Sequence, residues 1–148
     1  MNSDTLNPNQ RRFLLISLLS VEKALRKTSQ LLTQSSDAGI LYTRKPFHHG
    51  EFRDTALEKI NCILEELETF IKQLGLNPLE EDSARIIVSE LTMSWAGLED
   101  CRSNRLKGYG ELAPQAADWL DERIEHFASL IIELTRILSI NQSESLEG

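Results

Sequence analysis

Four segments of the chain carry large apolar residues at alternating spacings of three and four, a pattern typical of helices with one buried stripe. The stripes are Leu14, Leu18, Val21, Leu25, Thr28 and Leu32; Leu57, Ile60, Leu64, Leu67, Ile71 and Leu74; Ala84, Val88, Leu91, Trp95 and Leu98; and Leu120, Ile124, Phe127, Ile131, Leu134 and Leu138. A period of about 3.5 residues keeps each stripe facing a partner helix. The sequence therefore predicts an all-α fold, a four-helix up-and-down antiparallel bundle.

Capping residues indicate where these helices begin and end. Asn7-Pro8 and Asn77-Pro78 each combine a good N-cap with a proline at the first helical position, and Gly75 suits a helix C-terminus. The predicted helices span residues 8–36, 51–74, 78–104 and 114–139. A single domain of residues 1–148 is expected, with one long loop between the first two helices and a disordered tail at 141–148.

Composition restricts the possible partners and the compartment. The net charge of −7 argues against nucleic-acid binding, which requires a basic surface. Cys62 and Cys101 are far apart and belong to no Cys-x-x-Cys motif, as expected for free thiols in the cytoplasm. The apolar run at 13–21 is too short to span a bilayer and is followed by Glu22 and Lys23. We therefore expect a cytoplasmic protein with no membrane partner and no cofactor.

Acidic residues on the predicted helices raise the question of a metal-dependent enzyme. Di-metal bundle enzymes use Glu-x-x-His motifs, but Arg123 stands three residues before His126. The pair Glu65 and Glu68 resembles the magnesium ligands of helical nucleotide hydrolases, as does the acidic run at 118–125. These carboxylates fall beside the apolar stripes, so they are interpreted as solvated helix faces and no metal site is predicted.

One further pattern favours catalysis. Arg44 and His49 have the Arg-x4-His spacing of helical ribonucleases, in which histidine serves as general base and arginine stabilises phosphate charge. Pro46 lies between the two residues, whereas that motif normally lies within a helix. Despite this departure from the motif, hydrolysis of RNA or of nucleotides remains an alternative function.

Two loops are expected to meet at one end of the bundle, because alternate connections of an up-and-down bundle emerge together. They carry basic and aromatic residues that suit an anion, a phosphorylated ligand or an acidic partner protein. The candidate binding residues are Arg44, Lys45, His48, His49, Arg102, Arg105, Lys107 and Tyr109. The competing interpretation is that these residues only cap helix ends and cover the open end of the core.

Several apolar residues lie off the buried stripes. Leu79, Ile86 and Met93 are spaced by seven and face away from the core, and Phe13 and Ile16 widen the apolar surface of the first helix. Contiguous apolar surface of this kind indicates a partner, and a symmetric homodimer is the favoured one. The leading functional hypothesis is thus a non-enzymatic protein that acts through interactions and self-associates, and the alternative is an anion-binding protein or hydrolase.

Overall fold

The computed structural model describes residues 5–146 of the 148-residue chain, with side chains described for residues 5–139. Within those residues the elements are α1 (Pro8–Thr33), β1 (Asp37–Ala38), β2 (Thr43–Arg44), α2 (Gly50–Leu74), α3 (Ser83–Glu99), α4 (Ser103–Leu106), a 3₁₀ turn (Lys107–Tyr109) and α5 (Pro114–Leu146). The chain is mostly helical, which confirms the all-α class. No helix in this described part is long and apolar enough to cross a membrane.

The helices are grouped in two compact units, Met1–Pro78 and Leu79–Gly148. The first unit pairs α1 with α2, and the second pairs α3 with α5 and adds the short helix α4. The described residues thus form five helices rather than four, and the four-helix bundle is not confirmed. The bundle and the single domain stay predictions, and each unit is described here by itself.

The first unit begins with the capping box that the sequence predicts. The Asn7 side chain accepts a hydrogen bond from the Gln10 backbone N–H at 2.8 Å, and the Gln10 side chain accepts one from the Asn7 N–H at 2.9 Å. Pro8 occupies the first helical position, where no backbone donor is needed. Helix α1 ends at Thr33, three residues before the predicted end at residue 36.

Helix α2 ends in a Schellman motif that the glycine makes possible. Gly75 adopts φ 65° and ψ 29°, and its N–H donates to the Lys72 carbonyl while the Leu76 N–H donates to that of Ile71. The Arg11 side chain donates to the Gly75 carbonyl oxygen at 3.1 Å, which joins the start of α1 to the end of α2. The two helices are therefore antiparallel.

A small β-hairpin occupies the start of the predicted long loop. Strands β1 and β2 pair antiparallel, with Asp37 opposite Arg44 and Ala38 opposite Thr43. The Gly39 N–H donates to the Tyr42 carbonyl at 2.9 Å and closes the turn over Ile40 and Leu41. This hairpin is not predicted from the sequence, because strands of two residues are too short to produce an alternating apolar pattern.

The second unit begins later than its predicted capping signal. Asp82, rather than Asn77, caps α3, and its carboxylate accepts the Ala84 N–H at 3.0 Å. The predicted start at residue 78 is therefore wrong by five residues, and Asn77-Pro78 lies between helices. The predicted third helix also ends early, at Glu99, because the chain turns through 100–102 before the short helix α4.

Helices α3 and α5 pack along a stripe that differs in part from the predicted one. Ala117 and Ala128 are the most buried residues of α5, whereas Phe127 and Leu134 of the predicted stripe are about half exposed. Small residues at the contact let two helix backbones approach closely, so the bulkier neighbours lie outside it. Helix α5 continues to Leu146, past the predicted end at 139. Residues 147–148 lie outside the described part, and disorder of the tail stays a prediction.

Candidate functional site

The predicted binding residues fall into two groups, one in each unit. Arg44, Lys45, His48 and His49 belong to the first unit, and Arg102, Arg105, Lys107 and Tyr109 to the second. Their convergence at one end of a bundle therefore stays a prediction. Each group is described below by its own contacts.

Arg44 belongs to the β-hairpin and is held by two neighbours. Its guanidinium lies over the Tyr42 ring, 5.5 Å from the ring centroid, and its Nη1 donates to the Gln34 side chain at 3.4 Å. Lys45 follows the hairpin and is exposed. Arg44 is thus on a strand and His49 precedes a helix, which is not the helical setting of the Arg-x4-His motif.

His49 occupies the N-cap position of α2 and lies among aromatic rings. Its ring makes edge contacts with Phe47 at 5.8 Å and with Phe52 at 6.0 Å between centroids. The Arg53 Nη2 donates to the Phe47 carbonyl at 2.7 Å, while the buried Nε of Arg53 has no hydrogen-bond partner. Together these contacts hold residues 47–49 against the first turn of α2. His48 is exposed.

Arg102 forms a bidentate ion pair within the second unit. Its Nε and Nη2 donate to the two Glu99 carboxylate oxygens at 2.7 and 2.9 Å. These hydrogen bonds lower the pKa of Glu99 and raise the pKa of Arg102. A ligand at Arg102 would have to compete with Glu99. Arg105, Lys107 and Tyr109 are exposed on the short helix α4 and the 3₁₀ turn.

A polar contact between α5 and the start of α4 was not predicted from the sequence. Asp121 on α5 accepts the Ser103 backbone N–H at Oδ1 (2.7 Å) and the Ser103 hydroxyl at Oδ2 (2.5 Å). Both hydrogen bonds lower the pKa of Asp121, and the one from the Ser103 hydroxyl makes the larger contribution. Asp121 was interpreted as part of a solvated acidic face. Its position in heptad spacing with Ala117, Ile124 and Ala128 was the available signal.

The described residues form no metal-binding cluster, and both cysteines are unpaired. Among residues 5–139, no group of three or more histidine, cysteine, aspartate or glutamate side chains is placed to hold a metal ion. Cys62 and Cys101 are exposed and carry free thiols. An open cleft between α1 and α2 is lined by polar and basic side chains, among them Lys23, Arg26 and Lys27. It contains none of the predicted binding residues.

The five predicted interface residues are all exposed. The exposed fractions are 76% for Phe13, 50% for Ile16, 47% for Leu79, 40% for Ile86 and 74% for Met93. Ile86 and Met93 share a face of α3, whereas Leu79 precedes that helix. Their part in an interface is not tested by exposure alone, because single exposed apolar residues are ordinary.

A second apolar stripe on α5 was not predicted from the sequence. Phe127, Leu130, Leu134 and Ile137 are spaced by three, four and three residues and are each about half exposed. This spacing places them on one face, roughly a third of a turn from the face that contains the buried Ala117 and Ala128. Helix α5 therefore carries two apolar stripes, one packed within the unit and one open.

No protein-family model matches the chain, and no curated protein or solved structure matches it at a significant level. The fold defines an all-α protein of two helical hairpins.

Proposed function

We propose that this chain is a non-enzymatic, cytoplasmic helical protein that acts by self-association, with the open stripe of α5 as the centre of the contact. The single observation that carries the proposal is the regular spacing of Phe127, Leu130, Leu134 and Ile137. Apolar residues repeating every three or four positions form the seam by which helices pair. Scattered exposed residues would not give such a stripe.

Magnitudes set the expected strength of this contact. Covering eight half-exposed apolar side chains, four from each copy, contributes roughly 1 kcal/mol apiece, or about 8 kcal/mol in all. Association itself costs about 4–15 kcal/mol in lost freedom of motion. The stripe alone therefore leaves at most about 4 kcal/mol, a dissociation constant of about 1 mM, so association at micromolar concentration requires further contact surface. Phe13, Ile16, Leu79, Ile86 and Met93 are proposed as additional contact surface.

The predicted four-helix bundle is the alternative to the dimer, because it would cover the same stripe of α5. In that arrangement α1 and α2 of the same chain cover it, and the protein is a monomer. A dimer of α3–α5 hairpins also produces a four-helix contact, with two helices from each copy. The number of chains in the particle distinguishes the two.

Sedimentation-velocity ultracentrifugation over a concentration series tests the proposal. We expect the wild-type protein to shift from monomer to dimer as its concentration rises through the micromolar range. The Phe127→Glu/Leu134→Glu variant should remain monomeric, since it places charges in the stripe. A matched control, Gln115→Glu/Ser129→Glu, adds the same charges at exposed polar positions of α5 and should still dimerise. A wild-type monomer at every concentration contradicts the proposal.

The alternative is an anion-binding protein or hydrolase that uses the basic loops. Arg105 and Lys107 are exposed and basic, which supports it, while the pairing of Arg102 with Glu99 counts against it. Titration with inorganic phosphate and with nucleoside triphosphates, followed by backbone NMR shifts, tests this alternative. Shifts at residues 102–110 that vanish in Arg105→Ala/Lys107→Ala would favour it over a purely self-associating protein.

A further inference from the structure

The tip of the β-hairpin exposes two aliphatic side chains completely. Ile40 and Leu41 have exposed fractions of 101% and 96%, the highest among the large apolar residues described. They follow each other in the turn between β1 and β2, so they project from the hairpin rather than lie on a helix face. Neither residue contributes to the core of its unit, and the open stripe of α5 does not include them.

Contacts on both sides of the turn hold this tip in place. The Tyr42 ring lies against Gly39 so closely that a Cβ there would be 2.5 Å from the ring. The Tyr42 hydroxyl donates to Asp37 at 3.4 Å, and Asp37 also accepts the Ala38 N–H at 2.9 Å. Less conformational entropy is lost when a braced tip binds than when a mobile loop does.

Along the hairpin, from its tip toward α2, the exposed side chains are first aliphatic, then aromatic and then basic. The aliphatic pair at the tip is followed by Tyr42 and then by Arg44 and Lys45, all of them exposed. At about 3.3 Å per extended residue, the two basic side chains are attached roughly 10–13 Å behind Leu41. A bilayer presents the same order, with hydrocarbon, an interface that favours tyrosine, and anionic headgroups that attract arginine and lysine.

The acidic charge of the chain is concentrated away from this hairpin. Residues 1–78 contain ten Lys and Arg against nine Asp and Glu, a net charge of +1. Residues 79–148 contain six against fourteen, a net charge of −8. The unit that carries the hairpin is therefore not repelled by an anionic surface, although the whole chain has a charge of −7.

We propose that the hairpin 37–44, with Lys45, docks on anionic lipid surfaces by inserting Ile40 and Leu41 between the headgroups. The occupant is a lipid surface because the tip is a narrow projection with a basic pair behind it, and lipid accommodates such a tip without a preformed pocket. Two weak signals, apolar insertion and charge, together give reversible attachment. This is attachment to a surface without a spanning segment, and it departs from the expectation of no membrane partner.

Co-sedimentation with vesicles tests the proposal. Full-length protein is mixed with vesicles of phosphatidylcholine alone or with about 30% phosphatidylserine, at low and high salt. We expect binding to the anionic vesicles that weakens with salt. The Ile40→Asp/Leu41→Asp variant should lose binding by about tenfold or more, and Arg44→Gln/Lys45→Gln should lose most of its salt dependence.

Two further variants make the result specific. Ile132→Asp removes an exposed apolar residue of the other unit that belongs to neither proposed contact surface, and it should bind like wild type. Ile40→Phe/Leu41→Phe should bind the anionic vesicles more tightly, because aromatic side chains bury more apolar area, while its far-UV circular dichroism spectrum matches that of wild type. Absence of wild-type binding to anionic vesicles overturns the proposal, and so does binding that survives Ile40→Asp/Leu41→Asp. Neither result bears on the self-association of α5, which is measured without lipid.

Discussion

Asp121 and Ser103, 18 residues apart, are joined by two hydrogen bonds, one to the Ser103 N–H and one to its hydroxyl. Asp121 is on α5, and Ser103 is the first residue of α4, where backbone N–H groups lack helical partners. The carboxylate thus satisfies a helix start and fixes the connection between α3 and α5. Among the described contacts between α4 and α5, it is the only one in which both oxygens of a carboxylate accept hydrogen bonds.

Asp121→Ala is expected to destabilise the second unit. The variant leaves the buried Ser103 hydroxyl and its N–H without their acceptor, and unpaired buried donors are unfavourable. The urea midpoint, followed by far-UV circular dichroism, should fall clearly below that of wild type. Asp118→Ala, an exposed residue on the same helix, is the control and should leave the midpoint nearly unchanged. Equal midpoints for both variants would contradict the structural role of Asp121.

Low pH should reduce the stability of the second unit. The pKa values of Asp121 and Glu99 are lowered in the folded protein, so their stabilisation is complete above the unfolded pKa values of about 4. It is lost as the pH falls through the lower, folded pKa values. We expect urea midpoints to decrease below about pH 4, and Asp121→Asn to reduce that decrease. An unchanged acid profile in Asp121→Asn would show that Asp121 does not contribute.

Three substitutions compare the two residues that cap helices, Asn7 and Asp82, with Asn77, which does not. Asn7→Ala and Asp82→Ala should each lower the free energy of unfolding by about 1 kcal/mol, because each removes a side-chain acceptor at a helix start. Asn77→Ala should change it by less than about 0.5 kcal/mol, since Asn77 caps no helix. Chemical denaturation measures all three. A large effect at Asn77 would restore the predicted helix start at residue 78.

Two glycines should respond to alanine in opposite directions. Gly75→Ala should destabilise by about 1 kcal/mol, because its left-handed φ of 65° disfavours a Cβ. Gly97→Ala should stabilise by about 0.5–1 kcal/mol, since Gly97 is inside α3 with open space around its Cβ position. Thermal unfolding of the two variants, each against wild type, provides the comparison. Effects of the same sign would contradict one of the two local conformations.

Ala128 offers a test of the close contact between α3 and α5. Ala128 is only 3% exposed, so Ala128→Leu should destabilise by about 1–3 kcal/mol through overpacking. Ala116→Leu, at an exposed position of the same helix, should change stability by less than about 0.5 kcal/mol. Urea denaturation of both variants measures the difference. A neutral Ala128→Leu would place the contact elsewhere on α5.

Parts of the candidate surfaces were predictable and parts were not. Exposure of Ile86 and Met93 follows from helical periodicity, because a residue opposite a buried stripe faces outward. The open stripe of α5 was hidden, because Phe127 and Leu134 also fit the periodicity of a buried seam. Periodicity identifies which residues share a face, but it does not say which of two apolar faces is packed.

Local chemistry in the sequence determined the helical class, the capping box at Asn7 and the left-handed end of α2 at Gly75, because these depend on residues within a turn of each other. Only the tertiary structure decided that Asp82 caps α3, that Asp121 holds Ser103, and that Ala128 rather than Phe127 is buried. The Ser103 contact joins residues distant in the chain, the burial of Ala128 depends on neighbouring segments, and Asn77 and Asp82 are both residue types that cap helices well. Their selection depends on packing between helices, which no local pattern encodes.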